Sequence, residues 1–267
     1  MDIFGFLQYG FIQKAFIGGS FVALTCAILG VFLVLKNMSL IGDGLSHVSF
    51  GAIALGLFMG VAPFYIAIPF VAFASILILK ISEKTKIYGD ASIGIVSAVG
   101  ISMGVILASL SGGFNVDLMS FLFGNILAIS NSELIFSIVI SGLVLISVYF
   151  LYFDMFSATF DEDFAKTTGI KTQLINYVLT VLTALTVVLS VKVVGVMLVS
   201  ALLILPAVSA LQIASKFKNA IILSGIISVF SVIFGITFSF FADLPTGAVI
   251  VMVNALIFAI FSIYKRI

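Results

Sequence analysis

The sequence predicts an all-α fold: a polytopic bundle of eight or nine transmembrane helices, with one further short helix in a polar loop. Three observations carry that prediction. Hydrophobic residues make up 63% of the 267-residue chain and charged residues only 9%, where a soluble domain carries about a quarter charged residues. Mean hydropathy is +1.38. The apolar residues collect into runs of about 20, each long enough to cross a hydrocarbon core roughly 30 Å thick. A formal net charge of +1 gives no basis for binding nucleic acid. The single cysteine, Cys26, lies inside an apolar run, which leaves neither a disulfide framework nor a cysteine metal cluster. Residues 1–267 therefore read as one transmembrane domain in the lipid bilayer.

Cutting the runs at charges, glycines and prolines gives the elements in order. The opening "MDIFGFLQYGFIQKAF" lacks the basic start and small-residue cleavage site of a signal peptide, so it reads as an amphipathic lead-in that stays attached. Phe16–Leu35 is the first span and stops at Lys36. Leu45–Gly60 is short and glycine-rich, and is expected to be half-buried or broken. Pro63–Leu79 and Ala91–Leu110 follow, on either side of a lysine-rich loop. "LMSFLFGNILAIS" (Leu118–Ser130) is apolar but too short to cross, and reads as interfacial or re-entrant. The remaining spans are Leu134–Phe153, Leu174–Val191, Val194–Ile213, Ala220–Phe241 and Thr246–Tyr264. Pro69 and Pro206 fall inside spans, where neighbouring helices re-satisfy the freed carbonyls. Gly56 with Gly60, and Gly100 with Gly104, are spaced for close helix packing. There is no convincing internal repeat.

Positive charge sets the orientation. Lys80, Lys84 and Lys86 share one loop, Lys166 and Lys171 a second, Lys216 and Lys218 a third, and Lys265 and Arg266 close the chain. The positive-inside rule assigns all four to the cytoplasm, and two spans separate each neighbouring pair. Lys36 then also lies inside. Asp117, Glu133 and Asp243 fall outside, where they read as solvated loop charges, and Lys192 reads as a snorkelling residue at the outer rim. Asn125, Asn176, Asn254, Ser190 and Ser200 are candidates for bonds across helices.

Two stretches carry chemistry. The loop 154–173, "DMFSATFDEDFAKTTGIKTQ", predicts a short helix with Thr159 or Asp161 as N-cap, acids in the first turn and Gly169 as the stop. Phe160 and Phe164, at i, i+4, read as apolar anchors for a soluble partner. "LIGDGLSHVSF", starting at Leu40, holds Asp43 and the only histidine, His47. At i, i+4 they share a helix face, with Ser46 beside them. Ionisable residues within a bilayer are rare and mark a pathway. Carboxylate plus imidazole suits zinc, manganese or ferrous iron. The ring nitrogen binds metal only unprotonated, so transport through it should fall at acid pH. The plainer alternative is that Asp43 caps a helix beginning near Gly44 while His47 makes an internal hydrogen bond.

These stretches also carry a resemblance. "FDEDFAKTTG" is similar to the F-D-x-x-x-A-x-x-x-G segment in the membrane permease subunits of metal-type ABC importers, which carry zinc, manganese or iron. "SLIGDGLSHVSFGAIALG" resembles that family's D-x-L-S-H-x-x-x-x-G signature, although Ser49 and Phe50 stand where small residues and proline are frequent. "GDASIGIVSAVGISMGVIL", "DLMSFLFGNILAIS", "VGVMLVSALLILPAVSA" and "DLPTGAVIVM" resemble further family segments in the expected order. The resemblance implies a plasma-membrane homodimer with the path at its interface, and a cytoplasmic ATPase subunit docked on a coupling helix over Thr159–Gly169. On that helix Phe160, Asp161, Phe164, Ala165 and Gly169 are the motif positions. It also implies an extracellular metal-binding protein that delivers the ion.

No G-x-x-x-x-G-K-[ST] loop occurs in the sequence, so ATP hydrolysis is expected in a partner chain and no cofactor is expected to stay bound. With one histidine per copy, a single chain cannot build a four-ligand nitrogen and sulfur cage. Two copies would offer Asp43, His47 and their symmetry mates. A proton-coupled secondary metal transporter is the main alternative, but it needs ionisable groups in several spans. Intramembrane proteolysis is another, but Ser46 and His47 are adjacent and point about 100° apart on a helix.

Overall fold

A computed structural model describes residues 6–85, 89–111, 113 and 116–266. Lys86 and the first five residues of the expected lead-in lie outside that set, as do the side chains of Lys84, Asp117, Lys265 and Arg266. Twelve α-helices follow in order among the described residues: α1 Gly10–Leu35, α2 Ile41–Phe58, α3 Pro63–Thr85, α4 Gly89–Leu110, α5 Val116–Phe123, α6 Asn131–Phe150, α7 Tyr152–Phe160, α8 Glu162–Thr167, α9 Thr172–Val194, α10 Val199–Ile213, α11 Phe217–Ala242 and α12 Thr246–Arg266. Among the described residues nine helical segments are long and apolar enough to cross a membrane: all but α5, α7 and α8, with α10 counted together with the 3₁₀ turn Val196–Leu198 that precedes it. No strand occurs among the described residues. This is the expected outcome in hydrocarbon, where each backbone N–H and C=O must be satisfied within its own segment.

Several boundaries differ from the sequence expectation, each for a local reason. The second span is one unbroken helix that starts at Ile41 and takes Asp43, Ser46 and His47 into its first two turns. It ends where Gly60 adopts a left-handed φ of 67°, so Gly60 stops the helix rather than packing it. α6 opens on a capping box, with the Ser130 hydroxyl accepting from the Glu133 N–H and Glu133 accepting from the Ser130 N–H. It kinks at Leu151, and the chain continues as α7 instead of entering a loop. α9 runs through Lys192 to Val194 and breaks at Gly195, φ 85°.

Burial separates a central layer from a lipid-facing one. Of the spanning stretch of α2, 72% is buried, against 22% for α6. The outward residues of α6 (Ile135, Val139, Leu143, Ile146) and α11 (Ile222, Ile226, Phe230) are exposed and apolar, which suits lipid tails. α2 packs most extensively on α4, then on α3, α9 and α10, while α1 lies against α11, α10, α6 and α9. The α2–α4 contact is close because of glycines: a Cβ on Gly100 would stand 2.6 Å from the Val48 Cα, and one on Gly104 would stand 2.5 Å from the Phe50 ring. Phe50, bulky beside the histidine, is 2% exposed and fits because Gly104 leaves it room. α1 and α11 are joined by the Ser224 and Ser228 hydroxyls, which donate to the Ala27 and Ala23 carbonyls at 3.1 and 3.0 Å.

At the end opposite the basic loops, the short α5 and a 3₁₀ turn at Ile126–Ala128 lie over the end of α9. Gly124 and Gly195, both with positive φ, pass backbone to backbone there. Lys192 does not snorkel: it is 12% exposed, pairs with Glu133 at 3.0 Å and sits 5.0 Å from the Phe121 ring centroid. Glu133 is likewise a paired charge, not a solvated loop residue.

Candidate functional site

Asp43 is the third residue of α2, one turn before His47. Leu40, not Asp43, occupies the N-cap position, and no side chain caps this helix. The carboxylate still gains from the positive end of the helix dipole, but a capping hydrogen bond is not what holds it there. His47 Nε2 lies 3.7 Å from Asp43 Oδ2, with the two side chains 27% and 48% exposed. Two ligands of one tetrahedral ion, each at about 2.1 Å, stand about 3.4 Å apart. The pair is thus nearly at the bite of one ion. His47 Nδ1 is buried without a hydrogen-bond partner among the described residues, so the internal bond expected of a structural histidine is not made at either nitrogen. Ser46 is fully buried and its hydroxyl donates to the Asp43 carbonyl at 2.8 Å, serving its own helix.

The donor set stops at two. Among the described residues there is no group of three or more His, Cys, Asp or Glu that could hold a metal, and Cys26 is buried in α1. Within α2, Asp43, His47, Leu55 and Leu57 are partly exposed and Phe58 is exposed, while every residue from Val48 to Ala54 is buried. One copy therefore carries two candidate donors, both partly exposed.

At the basic end, the expected single helix over Thr159–Gly169 is two helices. Asp161 adopts an extended conformation (φ −150°, ψ 96°) and its Oδ1 accepts from the Phe164 N–H at 2.9 Å, so α7 stops at Phe160 and α8 starts at Glu162. The Asp161 cap prevailed over the Thr159 alternative, whose hydroxyl donates back to the Met155 carbonyl inside α7. Phe160 and Phe164 thus do not share one helix. Phe160 packs on Phe156 and Phe217, with ring centroids at 4.7 and 5.5 Å, yet stays 57% exposed, and Phe164 is 61% exposed. Ala165 is fully buried, so α8 seats on this residue and offers Phe164 outward. Gly169, φ 87°, closes α8, and the Ile170 N–H donates to the Ala165 carbonyl at 3.0 Å. Lys166 pairs with Glu162 and Asp163 at 3.2 and 3.3 Å, contacts that raise its pKa and, being exposed, contribute little to stability.

Lys36, read in the sequence only as a topology marker, is the residue that ties this end together. Its ammonium donates to the Ala158 carbonyl at 2.9 Å and to Asn176 Oδ1 at 2.7 Å. Burial holds its pKa below the ordinary lysine range, against an opposing pull from the Glu162 carboxylate. The one signal available was a lone cation directly after a span. Of the other polar candidates, Asn176 bonds across elements, and Ser190, besides donating to the Val187 carbonyl of its own helix, also hydrogen-bonds Cys26 of α1; Asn254 donates to the Ile250 carbonyl of its own helix.

A bundle of spanning helices with an incomplete metal-type donor pair and a polar helix at its basic end has the makings of an integral membrane permease. A family model described as the ABC 3 transport family matches residues 8–265, and the chain belongs to that family. It is 34% identical over 256 residues to the manganese transport system membrane protein MntC of Listeria innocua, covering 96% of this chain and 91% of that one. It is 33% identical over 248 residues to the high-affinity zinc uptake system membrane protein ZnuB of Haemophilus influenzae, covering 93% and 95%. The solved structure described as PsaBC from Streptococcus pneumoniae in complex with Fab matches with a TM-score of 0.88 at 31% identity, over 97% of this chain and 93% of that chain. The resemblance read in the sequence holds: this is a metal-type ABC permease, a multi-pass protein of the plasma membrane.

Proposed function

We propose that the chain is the membrane-spanning subunit of an ATP-driven importer of manganese or zinc, with ferrous iron compatible with the same donors. It works as a pair of copies, with a separate cytoplasmic ATPase and an extracellular protein that delivers the ion. The observation that carries this reading is the Asp43–His47 pair: two partly exposed donors 3.7 Å apart at the start of α2, with no third His, Cys, Asp or Glu beside them among the described residues. A second copy across a two-fold axis completes four ligands. Such a site mixes oxygen and nitrogen donors and binds loosely enough to release its cargo. Residues 1–267 act as one permease domain whose segment 154–173 meets the ATPase. Phe164 provides the outward anchor, Asp161 and Gly169 delimit the helix that carries it, Ala165 seats that helix, and Phe160 ties it to the bundle.

The test is metal uptake by the reconstituted transporter, with zinc and manganese in competition. His47→Ala at normal expression is expected to lose uptake while retaining the ATPase subunit. Uptake at the wild-type rate by that variant ends the assignment.

A further inference from the structure

Lys36 stands at a junction that neither donors nor coupling segment explain. It is the C-cap of α1. The residue after it, Asn37, takes a left-handed φ of 56°, and the Met38 and Asn37 N–H groups return to the Leu33 and Val34 carbonyls. This closes α1 in a Schellman-type turn. Leu40 then begins the approach to α2, and Asp43 follows seven residues after Lys36. With a closed turn on one side and a helix on the other, the connection has little slack.

The far end of the Lys36 side chain reaches 122 residues along the chain to Ala158, in the last turn of α7. The bend at Asp161 ends that helix, leaving its final carbonyls without helical partners. The ammonium takes one of them, where the negative end of the α7 dipole favours a cation. Asn176, in the first turns of α9, supplies the second acceptor. One cation therefore holds the end of α1, the end of α7 and the start of α9, directly beside the start of α8. The Lys36 side chain thus bonds directly from the α1–α2 corner to the segment that precedes α8.

Resting on the reading of this chain as a metal permease, we propose that Lys36 is the positioning residue that transmits movement of α7 and α8 to the donor-bearing start of α2. When the ATPase shifts α8, the Ala158 carbonyl moves with α7, and the ammonium carries that shift through the closed turn to Asp43 and His47.

The experiment compares ions moved per ATP hydrolysed in the complete reconstituted transporter for wild type, Lys36→Met, Lys36→Arg, Asn176→Leu and His47→Ala. Lys36→Met removes both bonds and is expected to keep the ATPase subunit and its hydrolysis while ions per ATP fall roughly fivefold or more, the size of a typical coupling contact. Lys36→Arg, which keeps a cation and donors, is expected to restore most of the ratio. A purely structural lysine would lower the amount of assembled transporter, and hydrolysis and uptake together, without changing the ratio. An unchanged ratio in Lys36→Met overturns the proposal. If Lys36→Met does not accumulate, Asn176→Leu removes one acceptor only and is expected to lower the ratio about twofold or more, the low end for one hydrogen bond; a wild-type ratio there overturns it equally. Absence of metal uptake by the wild type, or full uptake by His47→Ala, instead defeats the permease-site reading, so the two failures are distinct.

Discussion

Replacing Gly100 with alanine tests whether the position of α2 is set by backbone contact with α4. A Cβ at this position would stand 2.6 Å from the Val48 Cα and 3.0 Å from the Val48 N and Cγ2, where ordinary contact begins at 3.4 Å. Two of the three clashing atoms are backbone, so no rotamer relieves them and the helices must separate by most of an ångström. Overpacking of this kind costs about 1–3 kcal/mol. At about 2–4 °C per kcal/mol for a chain near this size, the melting temperature should fall by roughly 2–12 °C. Two further glycines calibrate the result. Gly94, on the same helix, has nothing within 4 Å of its Cβ position, so Gly94→Ala should melt at or slightly above wild type, because alanine is the better helix former by up to about 1 kcal/mol. Gly44→Ala meets chiefly the Ile93 side chain, which can move, and should fall between. The single cysteine offers the assay: Cys26 is fully buried in α1, so a thiol-reactive fluorophore labels it only on unfolding. Purified protein in detergent would be heated with the dye. If Gly100→Ala melts with wild type, or Gly94→Ala falls as far, the glycines do not set the α2–α4 distance.

Two other outcomes follow from the ends of the bundle. Lys192→Met leaves Glu133 without its 3.0 Å partner and should cost about 1–3 kcal/mol, less than a fully buried pair because both groups are partly exposed; adding Glu133→Gln should recover part of that loss in the same melting assay, and strictly additive losses would show that the pair is not coupled. Gly169→Ala places a side chain at φ 87°, a backbone cost of about 1–2 kcal/mol with no steric clash, since nothing lies within 4 Å. At equal permease levels it should retain less ATPase subunit on co-purification, and Gly169→Asn more than Gly169→Ala because asparagine tolerates this conformation; equal retention in both removes the turn from the docking argument.

The spans were legible because hydrocarbon imposes one rule, apolar length, and the sequence obeys it. Where the reading went astray, polar residues had been taken as boundaries. Starting the second span at Leu45, after Asp43, shortens α2 and makes a glycine-rich stretch look broken, yet a carboxylate in the first turn of a helix is stabilised by its dipole. Lys192 was read as a rim residue because its partner, Glu133, lies 59 positions earlier and only the fold brings the two together. The 154–173 segment shows the reverse case: local chemistry located the Gly169 stop and offered Asp161 as one of two caps, the one the structure uses. What local chemistry could not show was that α7 continues the preceding span as far as Phe160. The aromatic contacts with Phe217 that anchor Phe160 come from a distant helix. The Asp43–His47 pair was legible as two candidate donors one turn apart. The role of Lys36 was not, because its acceptors are a backbone carbonyl and an asparagine far along the chain.

The position of the donor pair also bears on how tightly an ion could be held. Both side chains belong to the first two turns of α2, where unpaired N–H groups amount to about half a positive charge. That end favours the Asp43 carboxylate and disfavours an added dication. In the two-copy reading, two carboxylates balance a divalent ion in formal charge, while two helix ends oppose it. A closed structural cage avoids this opposition and holds its metal; a transport site must release its cargo. In that reading the donors' place at a helix start favours release, and it also puts them within one short, closed turn of Lys36. Placed mid-helix, the same two residues would meet no opposing end charge and would lie further from the segment that is proposed to move them.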